Sequence, residues 1–331
     1  METLRNIFRL SRPLNLGIIA LTMWLMMRYV LKPFVEVNGY ELQLSDGKFF
    51  LLILATLLIA AAGNVINDYF DQRTDRINKP RDIIVGVHVK RRVAMAVHQI
   101  FNLTGLSLAF YIAWSVDIWK LSIVHFFAAG SLWFYSVQFK RELIIGNVMV
   151  ALLAGLVPVL VGIYEIPLLI REYGADVARY FKITRPGEDP AVYFKYMFYF
   201  IFAYAGFAFA LNLIREIQKD MADVKGDKRI GAQTIPLVYG IKNAKRITAA
   251  LIVAVIAGLV LIQQLVVNDI WSLIYMLAAV VVPLCFSLYF NHFAVRRPEF
   301  IRAGNALKVA MLGGLLYSVL HYYVYYTTVF D

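Results

Sequence analysis

The feature that most constrains this chain is a succession of long apolar runs, each near the ~20 residues that a helix needs to cross a bilayer. Candidate spans cover 13–32, 48–68, 92–114, 118–136, 144–164, 193–216, 246–267, 271–291 and 303–327, nine in all. In hydrocarbon, each backbone polar group must find a partner within its own helix or across a closed barrel. These runs are continuous rather than alternating, which excludes a barrel. The fold class is therefore all-α, a polytopic membrane protein. Composition agrees, with 60% of the 331 residues hydrophobic and a mean hydropathy of +0.65. That lies far outside the soluble globular range.

One transmembrane domain over residues 1–331 is expected. Within it, residues 1–11 predict an amphipathic helix lying in the membrane surface, with Leu4, Ile7, Phe8 and Leu10 on its apolar side. Pro13 suits the first turn of the first span. This basic start followed by an apolar run mimics a signal peptide, but the run continues into Arg28 with no small-residue cleavage site, so it reads as a retained span. Residues 165–192 are polar and charged, with Pro167, Pro186, Gly187 and Pro190, and read as a long extracytoplasmic loop.

The formal net charge is +11. Its cations sit in short loops between apolar runs, which argues against nucleic acid and for membrane lipid and a phosphorylated substrate. Lys and Arg concentrate at the N-terminus and after spans two, four, six and eight. The cation bias places these segments in the cytoplasm. The expectation is an integral protein of the cell membrane, N-terminus inside and C-terminus outside. Cys285 is the only cysteine, so no intramolecular disulfide and no cysteine metal site can form. The five histidines show no ligand spacing and read as packing residues.

Two acidic clusters interrupt this apolar pattern. The first runs Asn64-x2-Asn67-Asp68-x2-Asp71-x3-Asp75 and continues through Asn78-Lys79-Pro80-Arg81. The second runs Arg215-Glu216-Ile217-Gln218-Lys219-Asp220-x2-Asp223-x3-Asp227. Spacing i, i+3, i+7 puts the three carboxylates of each set on one helix face. Like charges so arranged repel and are costly to desolvate near a bilayer. Both triads fall at the cytoplasmic end of an even-numbered span. That pairing suits metal-assisted phosphate handling, because hard oxygen ligands select Mg²⁺ held by carboxylates plus substrate phosphates. Lys79, Arg81, Lys140, Arg215 and Lys219 are cations available to phosphate. Metal and cations would stabilise a departing diphosphate, and an apolar bundle would hold a hydrocarbon tail and exclude water.

These residues resemble the UbiA superfamily of intramembrane prenyltransferases. The likeness extends to Arg12-Pro13-Leu14-Asn15, to Tyr135-Ser136 with Lys140, and to Gly146-Asn147. The wording around Asn78-Lys79-Pro80 and Arg215–Asp220 is most similar to the digeranylgeranylglyceryl phosphate synthase branch. The resemblance implies nine helices around a central cavity, a cap over the cytoplasmic mouth and a lateral opening to lipid. It implies that Asn64, Asp68, Asp71, Asp75, Asp220, Asp223 and Asp227 bind diphosphate-bridged Mg²⁺. By the same carry-over, Asn67, Lys79, Arg81, Lys140, Arg215 and Lys219 bind substrate, Arg12 and Asn15 line the substrate mouth, and Tyr135 faces the allylic cation. The 165–192 segment departs from the family in its length.

The expected reaction is transfer of a polyprenyl group, first choice geranylgeranyl, from its diphosphate to a lipid acceptor, first choice (geranylgeranyl)glyceryl phosphate. Aromatic quinone precursors are the alternative acceptors. A CDP-alcohol phosphotransferase would need an Asp-Gly-x2-Ala-Arg opening, which is absent. A cation-coupled transporter would carry its carboxylates near the bilayer midplane rather than at one face.

Overall fold

A computed structural model describes residues 2–184 and 190–325. Among the described residues the regular structure is helical, apart from one isolated bridge between Val85 and Val89. A surface helix α1 (Glu2–Leu10) leads into α2 (Pro13–Glu36), α3 (Asp46–Phe70) and the short α4 (Gln72–Asn78). Then follow α5 (Arg91–Ser115), α6 (Ile123–Val137), α7 (Ile145–Thr184) and α8 (Pro190–Arg229). The last three are α9 (Gly240–Val267), α10 (Ile270–Phe293) and α11 (Arg297–Tyr325).

Eight of these, α2, α3, α5 and α7 to α11, are long and apolar enough to cross a membrane. The expected span over 118–136 is α6, only 15 residues long, preceded by a 3-10 turn at Trp119–Ser122. In α1, Leu10 is buried while Leu4 and Phe8, one turn apart, stay exposed. Elsewhere Phe50, Trp114, Leu265 and Trp271 are likewise exposed apolar groups on the outside of the bundle.

The segment 165–184 is not a loop, contrary to the sequence expectation. It continues α7 without a break through Pro167, and α8 resumes at Pro190; residues 185–189 lie outside the described residues. The reason is an apolar stripe hidden by polar composition. Ile166, Leu169, Ile170, Tyr173 and Val177 recur at helical spacing and pack against Phe194 and Met197 of α8. Arg171, Glu172, Asp176 and Arg179 fall between them. At 40 residues each, α7 and α8 are about 60 Å long, twice the ~30 Å hydrocarbon core, so their paired ends project from the membrane.

The base of this hairpin anchors the connection between α2 and α3. Glu165, fully buried, accepts hydrogen bonds from the backbone N–H groups of Gln43 (2.5 Å) and Leu44 (2.9 Å). Tyr173 stacks on Tyr40 at 4.5 Å between ring centroids. At this same end, Lys48 donates to the Ser115 carbonyl and Arg171 to the Val116 carbonyl, each at 3.0 Å. At the other end Lys140 pairs with Asp71. The run from Trp119 to Val137 therefore traverses the bundle from end to end, about 30 Å counting its 3-10 turn. His98 and His125 are packing residues, His98 on the Ala62 carbonyl (2.9 Å) and His125 between Thr56 and Tyr164.

Candidate active site

The first triad is organised by the turn between α1 and α2. Arg12 caps α2 in the left-handed region (φ 56°), a conformation that costs a non-glycine residue about 1 kcal/mol. The turn is held by Asn64, whose side-chain amide donates to the Ser11 carbonyl at 2.9 Å. It aims the Arg12 guanidinium across to α3, where Nη2 donates to Asp68 Oδ1 at 2.5 Å. Burial disfavours the Arg12 charge, but the adjacent Asp68 outweighs it and holds the guanidinium more firmly protonated than usual. A strained cap bonded into a carboxylate cluster is a sign of a functional position.

Asp71 ends α3 and separates it from α4. It pairs with Lys140 and accepts 2.8 Å from the Asn67 amide. Lys140 arrives on the turn between α6 and α7, which closes against Gly146. A Cβ there would lie 2.6 Å from the Phe139 carbonyl oxygen. Asp75, one turn along α4, pairs with Lys79 at 3.2 Å. Burial pushes the Asp75 carboxyl up to about 6; Lys79 opposes that shift, and the charges of Asp71 and Asp68 add to it.

The second triad lies at the end of α8. Asp220 accepts from the Asn147 amide at 2.9 Å, and Asp223 pairs with Arg297 at 3.2 Å. Asp227 makes no ion pair among the described residues but feels the charges of Asp71 and Lys140 from the first triad. One side chain staples the two sets together. Asn78, at the end of α4, donates to the Asp223 carbonyl (3.1 Å) and accepts from the Gly226 N–H (3.0 Å). Only glycine fits opposite it, since a Cβ at Gly226 would sit 2.4 Å from Asn78 Nδ2. One turn deeper on α8, buried Glu216 binds Arg215 (2.6 Å) and Lys219 (3.2 Å).

Tyr135 lies within electrostatic reach of Arg12, Asp71, Asp220, Glu216 and Lys219, hence between the triads. Asn15 follows Arg12 in the first turn of α2 and is half-buried. Arg81 is exposed and pairs with no carboxylate among the described residues, so the structure does not bring it to the cluster. Asn78, Asn147, Glu216 and Arg297 belong to the cluster although sequence spacing assigned them no role. Asn78, Asn147 and Glu216 stand inside the motifs that carry the family resemblance. For Arg297 there was no signal, as its pairing to α8 is purely tertiary. Beside the cluster, a cavity of about 420 Å³ is lined by Phe70, Thr74, Arg73, Arg141 and Arg229.

Among the described residues no three carboxylate or imidazole groups converge on a common point. Instead Asp68, Asp71, Asp75 and Asp223 each hold a cation. This donor set does not form an all-protein metal cage. It does fit Mg²⁺, which takes one or two carboxylates and completes its shell with water and substrate phosphate. The buried Asn67 Oδ1, without a hydrogen-bond partner, is a further free oxygen donor at the site.

Fold and site together define an all-helical integral membrane protein with a charged, oxygen-rich cluster at one end of an apolar bundle. Comparisons with known proteins fix the class more narrowly. Residues 39–311 match the UbiA prenyltransferase family. The digeranylgeranylglyceryl phosphate synthase of Pyrococcus horikoshii is 32% identical over 199 residues, 60% of this chain and 58% of that protein. The synthase of Methanosphaera stadtmanae is 28% identical over 78% of this chain and 82% of its own length. Thus the matched region spans somewhat over half of the Pyrococcus relative. Among solved structures, one described for digeranylgeranylglyceryl phosphate synthase in membranes superposes with a TM-score of 0.58 at 21% identity, covering 96% of this chain and 99% of that one. The apo structure of a UbiA homologue from Aeropyrum pernix gives 0.58 at 13% identity, covering 91% and 98%. Both show the shared fold. The chain belongs to the UbiA prenyltransferase family.

Proposed function

We propose that this protein transfers a geranylgeranyl group from its diphosphate to the hydroxyl of (geranylgeranyl)glyceryl phosphate. The C–O bond to diphosphate breaks, an ether C–O bond forms, the hydroxyl proton is lost and diphosphate is released. The observation that carries this reading is the Asn78 staple, which brings two carboxylate triads and their cations to one site. The names of the synthase relatives supply the acceptor and donor class.

In this reading Asn64, Asn67, Asp68, Asp71, Asp75, Asp220, Asp223 and Asp227 supply oxygen ligands for Mg²⁺, which when bound neutralises charge on the diphosphate. Lys79, Lys140 and Lys219 would exchange carboxylate for phosphate. Tyr135 presents its ring to the developing allylic cation, an attraction of about 2 kcal/mol when desolvated. Arg12 and Asn15 border the mouth. The apolar bundle holds the polyprenyl tail.

The cation bias of the loops supports a cytoplasmic site and N-terminus in the cell membrane. The end-to-end course of residues 119–137 supports nine crossings, with the C-terminus outside. The test is a product assay by mass spectrometry. Purified protein with Mg²⁺ is offered several prenyl diphosphates and both phosphorylated glycerol lipids and aromatic acceptors. Ether product from the glycerol lipid is expected; product only from the aromatic ring would reassign the acceptor.

A further inference from the structure

A lysine inside a membrane helix needs a reason. Lys308 stands eleven residues past Arg297 on α11, about 16 Å deeper along that helix, and is only half-buried. Among the described residues it forms no ion pair and no hydrogen bond. An unpaired ammonium at that depth is expensive and marks a functional position.

Its surroundings are cationic. One turn earlier on the same face, Gly304 faces α8, where a Cβ added to it would lie 3.7 Å from Arg215 Cγ and 3.8 Å from Gln218 Oε1. That contact turns Lys308 toward Arg215, Glu216 and Arg12, whose charges it feels. Arg215 carries a second unmet need, because its Nε–H is buried with no partner. The charge balance is uneven. Arg12 is matched by Asp68, and two carboxylates, Glu216 and Asp220 (which feels Lys219), face the three cations Arg215, Lys219 and Lys308, an excess of one positive charge. A phosphate monoester carries close to −2 at neutral pH, with three acceptor oxygens. Arg215 donates in a planar fork and Lys308 as a point charge, a combination suited to phosphate.

We propose that Lys308 and Arg215, backed by Arg12, form the seat for the phosphate monoester of the acceptor lipid. This seat lies deeper in the bundle than the diphosphate cluster, between α2, α8 and α11. It rests on the proposed transfer to a phosphorylated acceptor and assigns that acceptor's phosphate to particular residues. The placement separates the two anions, so that both substrates are held at once without sharing a cation other than Arg12 and Lys219. It also excludes acceptors that lack the phosphate, since they would leave the excess charge unmatched.

The test uses the full-length protein with Lys308→Met and Lys308→Arg. Met keeps the length of the side chain and removes the charge, so loss of fold is not expected and is checked by thermal unfolding. Lys308→Met should raise KM for the phosphorylated acceptor about 10- to 100-fold, the worth of one charge-assisted hydrogen bond. KM for the prenyl diphosphate should stay within about twofold, and Lys308→Arg should recover most of the loss. A readout without turnover separates this proposal from the reaction itself. The phosphorylated lipid alone should protect wild type against unfolding, and neither its dephosphorylated form nor a phosphodiester lipid should do so. Lys308→Met should abolish that protection. Equal protection of wild type and Lys308→Met, or a rise in donor KM instead of acceptor KM, overturns the seat. Protection that depends on Lys308 without any ether product upholds the seat and overturns the reaction.

Discussion

The two triads reach each other through Asn78, so a double-mutant cycle on that contact tests the architecture directly. Asn78→Ala removes two hydrogen bonds, of 3.1 and 3.0 Å. At about 0.5–1.5 kcal/mol each, the loss is about 1–3 kcal/mol of local stability between α4 and α8. Gly226→Ala should cost a comparable amount for a different reason, because the added Cβ would stand 2.4 Å from Asn78 Nδ2. In the Asn78→Ala background that obstacle is gone. Gly226→Ala should then be neutral or stabilising by up to about 1 kcal/mol, since alanine is the better helix former. The expected coupling energy is therefore of the order of the single-mutant loss itself. Thermal or denaturant unfolding in detergent gives the four stabilities, and Mg²⁺ with diphosphate gives the ligand-induced shift. Both single variants should lose most of that shift. If Gly226→Ala destabilises the Asn78→Ala protein as much as the parent, the staple is not what joins the triads.

Other outcomes follow from the same geometry. Asp68→Asn and Asp223→Asn should each abolish prenyl transfer while leaving Arg12 and Arg297 unpaired; unimpaired transfer in a product assay would remove these carboxylates from the metal site. The Asp75 carboxyl, raised to about 6, favours folding while protonated, and that contribution fades as pH rises from about 4 through 6; cation binding needs its charged form. Mg²⁺-dependent thermal protection should accordingly weaken below pH 6, by at most tenfold in affinity per pH unit for this one group, and Asp75→Asn should flatten the profile. Lys140→Met should raise KM for the diphosphate substrate and slightly destabilise the unliganded protein, because Asp71 loses its counter-charge. Glu165→Gln should cost about 1–3 kcal/mol, since an amide cannot accept both backbone N–H groups with two oxygens, yet leave KM for both substrates unchanged.

Most spans were legible because an apolar run of bilayer length has few alternatives. The triads were legible because their spacing repeats. What escaped was of two kinds. The continuation of α7 past residue 165 was obscured by Arg171, Glu172, Asp176 and Arg179, which mask an apolar stripe needing only one narrow face. The shorter length of α6 reflects the 3-10 turn at Trp119–Ser122, which carries the chain across in place of further α-helix. Tertiary pairings formed the second kind. Asn78 meets Asp223 and Gly226 across 145 and 148 residues of sequence, and Arg297 meets Asp223 across 74, distances over which no local pattern survives. Asn64 shows the subtler case. The resemblance implies a metal ligand there, and what no sequence pattern foretold is that its amide N–H also holds the Ser11 carbonyl, orienting the side-chain oxygen that would ligate a metal.

Pairing four of the carboxylates with cations also explains how such a cluster survives without substrate. Six aspartates gathered at the end of an apolar bundle would repel one another strongly, and Arg12, Lys79, Lys140 and Arg297 relieve that repulsion one by one. Each pair is partly solvent-accessible, so each contributes little net stability and is readily exchanged. In the proposed reaction, a diphosphate arriving with divalent metal would offer each of these pairs a substitute, phosphate oxygens for the cations and metal for the carboxylates. Binding would then replace one set of compensated charges by another at these four carboxylates. Asp220, held by the Asn147 amide, Asp227 and Asn67 Oδ1 stand outside this pairing, so a metal could reach their oxygens before any cation has to move.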